Sequence, residues 1–180
     1  MIVIREACRS DAAGIGRVHV DTWRSTYGGI VPEEHLANLS YGKAEQAAER
    51  RLGDSQSGYF AFVAVTDDGR IVGFAGARQA SEEAAASRGA LEALYVVEAY
   101  QALGVGRQLV SAVARRLIQM GIRSMIVWVL KDNACRGFYE HLGGRQLGSQ
   151  TIAIGGRECE EVAYGWDDLM VLTGMRDEAA

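Results

Sequence analysis

A strand, a glycine-rich loop and a long helix follow one another between residues 91 and 120, and they restrict the possible folds more than any other feature. Leu91 to Val97 predicts a strand, Y-Q-A-L-G-V-G-R (residues 100–107) a loop, and Val105 to Met120 a helix. Apolar residues recur on one stripe of that helix, at Val105, Leu109, Val113, Leu117 and Met120. Ser124 to Leu130 is almost continuously apolar, as is typical of a strand buried on both faces. The segment therefore predicts a sheet covered by helices.

Further elements are predicted on both sides of this segment. Strands are predicted at residues 2–7, 59–65, 71–77, 146–154 and 157–166. Helices are predicted at about residues 11–25, from Pro32 onward, at 43–52 and at 133–142. Residues 79–89 have no clear period and predict a mobile loop. This mixture predicts an α+β fold, or α/β with a mixed sheet, in a single domain of residues 1–180 with its core at about 2–168 and a C-terminal tail at 169–180.

Composition and charge argue against several classes of protein. The formal net charge of the 180 residues is −4, which is unlike the basic surface of a nucleic-acid-binding protein. The sequence has no run of 18 apolar residues, so we expect no transmembrane helix and no membrane partner. The first six residues, M-I-V-I-R-E, already include an arginine and a glutamate and no long apolar stretch. They are unlike a signal peptide, so we expect a cytoplasmic protein.

Neither a disulfide framework nor a metal site is expected. Cys8, Cys135 and Cys159 are odd in number, far apart and lack CxxC spacing. The three histidines are equally scattered and follow no metal-ligand pattern.

The glycine-rich loop predicts an anion site. The first turn of a helix presents free N–H groups and the positive end of the dipole, and Gly104 and Gly106 allow close approach of a ligand to the backbone. Arg107 adds a positive charge in the same turn. A Walker loop is excluded because no GxxxxGK is present, and a dinucleotide fingerprint because Leu109 stands where its third glycine would be.

Two motifs in this order resemble those of the GCN5-related N-acetyltransferases, the GNAT superfamily. Leu94-Tyr95-Val96 followed by Q-A-L-G-V-G (residues 101–106) is similar to the family's acetyl-CoA-binding motif. D-N-A-C-R-G-F-Y-E-H-L-G-G (residues 132–144) resembles its N-x-x-x-x-F-Y-x-x-L-G signature. The bend that contains Trp23, Tyr27 and Pro32 is similar to one branch of the superfamily, so the resemblance covers nearly the whole chain.

The resemblance implies a fold, a donor and a reaction. The fold would be a GNAT-type mixed, mostly antiparallel sheet of about seven strands flanked by helices. The reaction would be acetyl transfer from acetyl-CoA to a primary amine of a small molecule, by direct attack on the thioester and without a metal. Two alternatives stay open: a protein or peptide acetyltransferase acting on N-termini or lysines, and a non-catalytic acyl-CoA-binding module. Dimers are common in the superfamily, so a homodimer is possible by analogy.

The resemblance also assigns residues to the cofactor. Those predicted to contact acetyl-CoA are Leu94, Tyr95, Val96, Gln101, Ala102, Leu103, Gly104, Val105, Gly106, Arg107, Asn133 and Phe138. The backbone N–H near Val96 would polarise the thioester carbonyl. Asn133 is equally expected as a helix cap. The loop departs from the family at Glu98, where many relatives have proline, and at Leu103, where many have a basic residue.

Two residues are predicted to move protons. By resemblance Tyr139 lies near the thioester sulfur as general acid, although it could instead pack its helix on the sheet. Glu92 is predicted as general base, on the expectation that Glu92, Leu94 and Val96 share one face of the strand. Alternatives for the base are Glu158, Glu160, Glu161 or water. Trp23 and Tyr27 are predicted to line the acceptor pocket, with core packing as the alternative.

Overall fold

The described part of the chain is built on one seven-stranded sheet. The computed structural model describes residues 1–80 and 88–174. Its strands are β1 (Ile2–Glu6), β2 (Phe60–Thr66), β3 (Ile71–Gln79), β4 (Arg88–Val96), β5 (Ser124–Leu130), β6 (Arg145–Ile154) and β7 (Arg157–Trp166). They lie in the order β1-β2-β3-β4-β5-β7-β6. β4 and β5 are parallel and all other neighbours are antiparallel, which confirms the predicted mixed, mostly antiparallel sheet.

Helices cover both faces of the sheet. They are α1 (Ala12–Thr26), α2 (Glu33–Ala37), α3 (Tyr41–Gly53), α4 (Val105–Gln119), α5 (Gly137–His141) and α6 (Met170–Thr173). α1 and α3 pack on the face that contains Val63 and Phe74, and α4 packs on the opposite face. The predicted stripe of α4 is buried except at Met120, which is 41% exposed because it follows the last helical residue.

β4 and β5 separate at the middle of the sheet, and β4 carries an irregularity at the same place. Their pairing ends at Leu91 and Val127. On the other side of β4, Gly76 pairs with Ala93 and Ala77 with Leu91, so that Glu92 is an extra residue, as in a β-bulge. Beyond Leu91, one edge of β4 therefore has no neighbouring strand among the described residues.

The bulge corrects one prediction. Leu94 and Val96 pack on the α4 side of the sheet, whereas Glu92 pairs with Arg51 of α3 on the opposite side. The expectation that Glu92, Leu94 and Val96 share a face was wrong, because the extra residue shifts the alternation of side chains by one position.

Other differences lie at the ends of elements and on β5. Of the predicted loop 79–89, Gln79 ends β3, residues 88 and 89 belong to β4, and residues 81–87 lie outside the described residues. β5 is not buried on both faces, because Trp128 is 39% exposed where β4 and β5 diverge. The packed core continues beyond residue 168, where it was predicted to end, since Leu169 and Leu172 are buried. Within residues 1–80 and 88–174, no helix has the length and apolarity needed to cross a membrane.

A buried ion pair fixes β1 against the start of α1. Asp11 is 6% exposed and accepts two hydrogen bonds from the Arg5 guanidinium, at 2.7 and 2.8 Å, and one from the Cys8 backbone N–H at 2.8 Å. Hydrogen bonding to Arg5 is the main reason that the pKa of Asp11 is lowered to about 2 from 3.8, and the Cys8 N–H adds to it. The paired carboxylate therefore stabilises the folded protein.

We expect Asp11→Asn to lower the free energy of unfolding by about 2 kcal/mol at pH 7. The folded pKa lies below the unfolded one, so this contribution is fully present above pH 4 and is lost as the pH falls towards 2. Urea unfolding of both proteins should show the difference shrinking to about half by pH 3. The matched control is Asp167→Asn. Asp167 forms an ion pair with Arg145 in which both side chains are exposed, so this substitution should lower the free energy of unfolding by under about 1 kcal/mol. If the difference in the free energy of unfolding between the wild type and Asp11→Asn does not change with pH, the lowered pKa of Asp11 is not its cause.

Candidate active site

A cavity of about 600 Å³ opens where β4 and β5 separate. Its lining comes from α1, β4, the loop before α4, β5, α5 and the hairpin of β6 and β7. A volume of this size is typical of a small-molecule site. The cavity brings together most of the predicted cofactor residues, and also Trp23, Tyr27, Glu92 and Tyr139.

One end of the cavity is formed by the loop 101–104 and the first turn of α4. Ala102 and Gly104 have φ values of 58° and 80°, so both adopt the left-handed conformation. The first backbone hydrogen bond of the helix runs from Gln108 N to Gly104 O at 3.1 Å. The N–H groups of the preceding turn are left without an acceptor in the helix and are available to an anion. Arg107 lines this end and forms no ion pair with another described residue.

The middle of the cavity is the unpaired edge of β4. Residues 92–96 have β3 on one side and the cavity on the other, so their outward backbone groups can bind an extended chain. Gln101 fixes the end of this edge, because its amide donates a hydrogen bond to Val96 O at 2.9 Å. Phe138 packs against the first turn of α4, since a Cβ on Gly106 would lie 3.3 Å from its ring. A pyrophosphate at the helix and an amide-containing arm along β4 both fit these residues.

Tyr139 lies beside this edge, at the boundary between the cavity and the core. Its ring is 9% exposed and stacks on Tyr164 with 6.0 Å between the ring centroids. Burial is the main reason that the pKa of Tyr139 is raised, with smaller contributions from Tyr27, Tyr95 and Cys135. The phenol is therefore protonated at neutral pH. It packs its helix on the sheet, as the alternative prediction states, and also lines the cavity.

Asn133 connects the end of β5 with α1. Its side-chain oxygen accepts a hydrogen bond from the Cys135 backbone N–H at 2.8 Å, so the predicted cap is present. Its amide donates to the Tyr27 hydroxyl at 3.4 Å. Asn133 also lines the cavity, and the predicted contact with a bound cofactor stays a prediction.

The far end of the cavity is aromatic. Trp23 Nε1 donates a hydrogen bond to the Tyr95 hydroxyl at 3.0 Å, and the Trp23 ring lies 4.7 Å from that of Tyr27. Trp23 and Tyr27, which directly follows α1, pack in a cluster with Leu130 and also line the cavity. The predicted core packing is therefore present, and the predicted contact with the acceptor stays a prediction. The turn between β6 and β7 packs on α2 beside this end, since a Cβ on Gly155 would lie 2.9 Å from the Cβ of His35.

The carboxylates predicted as possible bases differ in their surroundings. Glu92 lines the cavity, but its two oxygens contact the guanidinium groups of Arg51, at 3.4 Å, and Arg78. Glu161 also lines the cavity and accepts a hydrogen bond from Gln150. Glu158 and Glu160 do not line it, and Glu160 pairs with Lys131 at 2.7 Å. Only two of the four predicted carboxylates therefore reach the site.

Several lining residues were not predicted from the sequence. Thr22 and Thr26 share a face of α1 with Trp23 and could have been found from helical spacing. Ile152 and Ile154 lie on β6, and no local signal in the sequence places that strand beside α1. Cys135 and His141 flank Tyr139 in the second motif and were left without a role.

Comparisons with known proteins agree with this geometry. The family model described as the Acetyltransferase (GNAT) family matches residues 19–144. The chain is 36% identical over 172 residues to "Uncharacterized N-acetyltransferase YuaI" of Bacillus subtilis, and the match covers 96% of each protein.

Solved structures with the same fold include two N-acetyltransferases. PaiA from Thermoplasma acidophilum, in complex with coenzyme A, has a TM-score of 0.69 and 19% identity, covering 90% of this chain and 98% of that one. Ribosomal-protein-alanine N-acetyltransferase from Brucella melitensis has a TM-score of 0.70 and 20% identity, covering 91% and 98%. The family match, the relative from Bacillus and the seven-stranded sheet together make the chain an N-acetyltransferase of the GNAT family.

Proposed function

We propose that the protein transfers the acetyl group of acetyl-CoA to the primary amine of a small molecule. The observation that carries this proposal is the shape of the single cavity that contains Tyr139. It begins at the helix turn suited to a pyrophosphate and ends between Trp23 and the β6–β7 turn, where Gly155 packs against His35. A cavity of about 600 Å³, with this turn packed on α2 beside its far end, has the size of a small-molecule site, which favours a small acceptor over a polypeptide.

Different residues along this cavity bind different parts of acetyl-CoA. The free N–H groups at the start of α4, with Arg107, bind the pyrophosphate, and the open edge of β4 orients the pantetheine arm. The N–H near Val96 polarises the thioester carbonyl. The bound thioester supplies the acetyl group, which forms a C–N bond with the amine as its C–S bond breaks.

Two proton transfers complete the reaction. Tyr139, whose phenol is protonated at neutral pH and lines the cavity, donates its proton to the departing sulfur. An amine must also lose a proton, and Glu161 is the better placed carboxylate to take it. An incoming amine would have to displace Arg51 or Arg78 to reach Glu92. We therefore assign Glu92, predicted as the base, to holding these two arginines.

The names of the structural neighbours do not decide the acceptor. One acts on a ribosomal protein by its name, and another is a PaiA enzyme, yet both share this fold at about 20% identity. The acceptor must be found by assay. The protein should be incubated with acetyl-CoA and, in parallel, with small primary amines and with peptides that have free N-termini and lysines.

Free thiol and acetylated product are then measured together. The proposal expects equal amounts of thiol and acetylated small amine. Acetylation of peptides alone would overturn the choice of acceptor. Binding of acetyl-CoA without product from either set would favour a non-catalytic binding module and overturn the reaction.

A further inference from the structure

We infer that the acceptor is an amine with an apolar or aromatic body and no carboxylate beside the amine, and that Glu161 binds its ammonium group. This inference rests on the proposed function and names the chemical class of the acceptor. It depends on three features of the far end of the cavity: its apolar walls, the surroundings of Glu161 and the distribution of positive charge.

The walls of the far end are mostly apolar. They are formed by the side chains of Trp23, Tyr27, Tyr95, Ile152 and Ile154, with Thr22 and Thr26 beside Trp23 on α1. Aromatic and branched side chains gain most from covering an apolar ligand surface, since apolar area removed from water is stabilising. A polyhydroxylated acceptor would leave most of its hydroxyl groups without partners against such walls.

Glu161 provides the negative charge at this end. It pairs with Leu130 of β5 and with Gln150 of β6, and directly paired residues of antiparallel strands share a face. Leu130 packs with Tyr27 and Trp23, so Glu161 is on the side of the sheet that faces the acceptor. The carboxylate accepts a hydrogen bond from the Gln150 amide and forms no ion pair with a described residue. It is therefore available to a cation.

Positive charge is placed elsewhere. Among the described residues that line the cavity, Arg107 is the one lysine or arginine, and it belongs to the opposite, cofactor end. Arg51 and Arg78 are paired with Glu92. Arg157 shares a face of β7 with Glu161 but is exposed and does not line the cavity. A carboxylate beside the amine would thus meet Glu161 without a compensating cation, and like charges at close range disfavour binding.

Three acceptors of similar shape test this inference. Phenylethylamine has no carboxylate, phenylalanine has one, and phenylalaninamide has the bulk of phenylalanine without its charge. We expect kcat/KM for phenylethylamine and phenylalaninamide to exceed that for phenylalanine at least 100-fold. Peptides are assayed in parallel. If phenylalanine is acetylated as fast as its amide, this inference is wrong, but the proposed acetylation of small molecules stands. If only peptides are acetylated, the proposed function itself is wrong.

The variant Glu161→Gln then tests the residue. It should lower kcat/KM for phenylalaninamide at least tenfold and reduce the preference for phenylalaninamide over phenylalanine at least tenfold. Glu160→Gln is the matched control, since Glu160 is adjacent, exposed and paired with Lys131 outside the cavity. It should leave the preference unchanged. If Glu161→Gln slows both acceptors equally, Glu161 acts as a base or a structural residue and its role in selecting the acceptor is wrong.

Discussion

Tyr139→Phe is expected to lower the rate of acetyl transfer in a single turnover at least about 100-fold, the size of effect that general acids have. The substitution removes one hydroxyl from a ring that packs on Tyr164 and Phe138. No described residue is hydrogen-bonded to the Tyr139 hydroxyl, so deletion of its oxygen leaves no described donor or acceptor without a partner. We therefore expect the affinity for acetyl-CoA and the thermal stability to stay close to those of the wild type.

Tyr164→Phe is the matched control for this experiment. Tyr164 is fully buried behind Tyr139 and its hydroxyl donates to Glu140 at 2.7 Å. Its loss should cost about 1 kcal/mol or more of stability and leave the transfer rate intact. A Tyr139→Phe enzyme that transfers acetyl groups as fast as wild type would show that the departing sulfur is protonated by another group.

Gly104→Val is expected to raise the dissociation constant of acetyl-CoA at least tenfold. Gly104 precedes α4 with φ at 80°, a conformation that costs a β-branched residue about 1–3 kcal/mol. The Cβ itself would meet no close contact, since the nearest atom to it is the Gln108 amide nitrogen at 3.9 Å. Relief of this strain would turn the N–H groups of the loop away from the pyrophosphate. Calorimetric titration with acetyl-CoA measures the effect.

Gly69→Val gives a control with the same backbone strain. Gly69 lies in the turn between β2 and β3 with φ at 81°, and a Cβ there would meet no atom within 4 Å. Both variants should lose similar stability in urea unfolding, but Gly69→Val should bind acetyl-CoA like the wild type. If the two variants bind acetyl-CoA with equal affinity, the loop that contains Gly104 has no role in cofactor binding.

The sequence predicted the elements of the cofactor end because their signals are local. A helical stripe, two glycines and a preceding strand all lie within residues 91–120, and Ser124–Leu130 and Arg157–Trp166 were predicted with the bounds of β5 and β7. The signals of the second motif are also local, since Asn133 and Phe138 belong to one short segment. Local patterns of this kind need no knowledge of the tertiary structure.

The acceptor end was less predictable because it is assembled from distant segments. Glu92 was placed on the wrong side of β4, since a bulge changes the direction of side chains and no glycine or proline marks it in β4 itself. The glycine at the bulge is Gly76, which lies across from it in β3. The position of β6 beside the cavity depends on the contact between Gly155 and His35, residues 120 positions apart in the chain. Glu161 was one of several equivalent glutamates until the pairing with Leu130 and Gln150 assigned its face.

A crystal structure of the complex with acetyl-CoA would locate the cofactor and its thioester in the cavity. We expect the pyrophosphate within hydrogen-bond distance of the N–H groups at the start of α4, the pantetheine arm along the open edge of β4, and the thioester sulfur within reach of the Tyr139 hydroxyl. The acetyl group should point toward the end of the cavity that contains Trp23 and Glu161. A complex with the thioester outside this cavity, or with the sulfur far from Tyr139, would show that this cavity is not where acetyl transfer occurs.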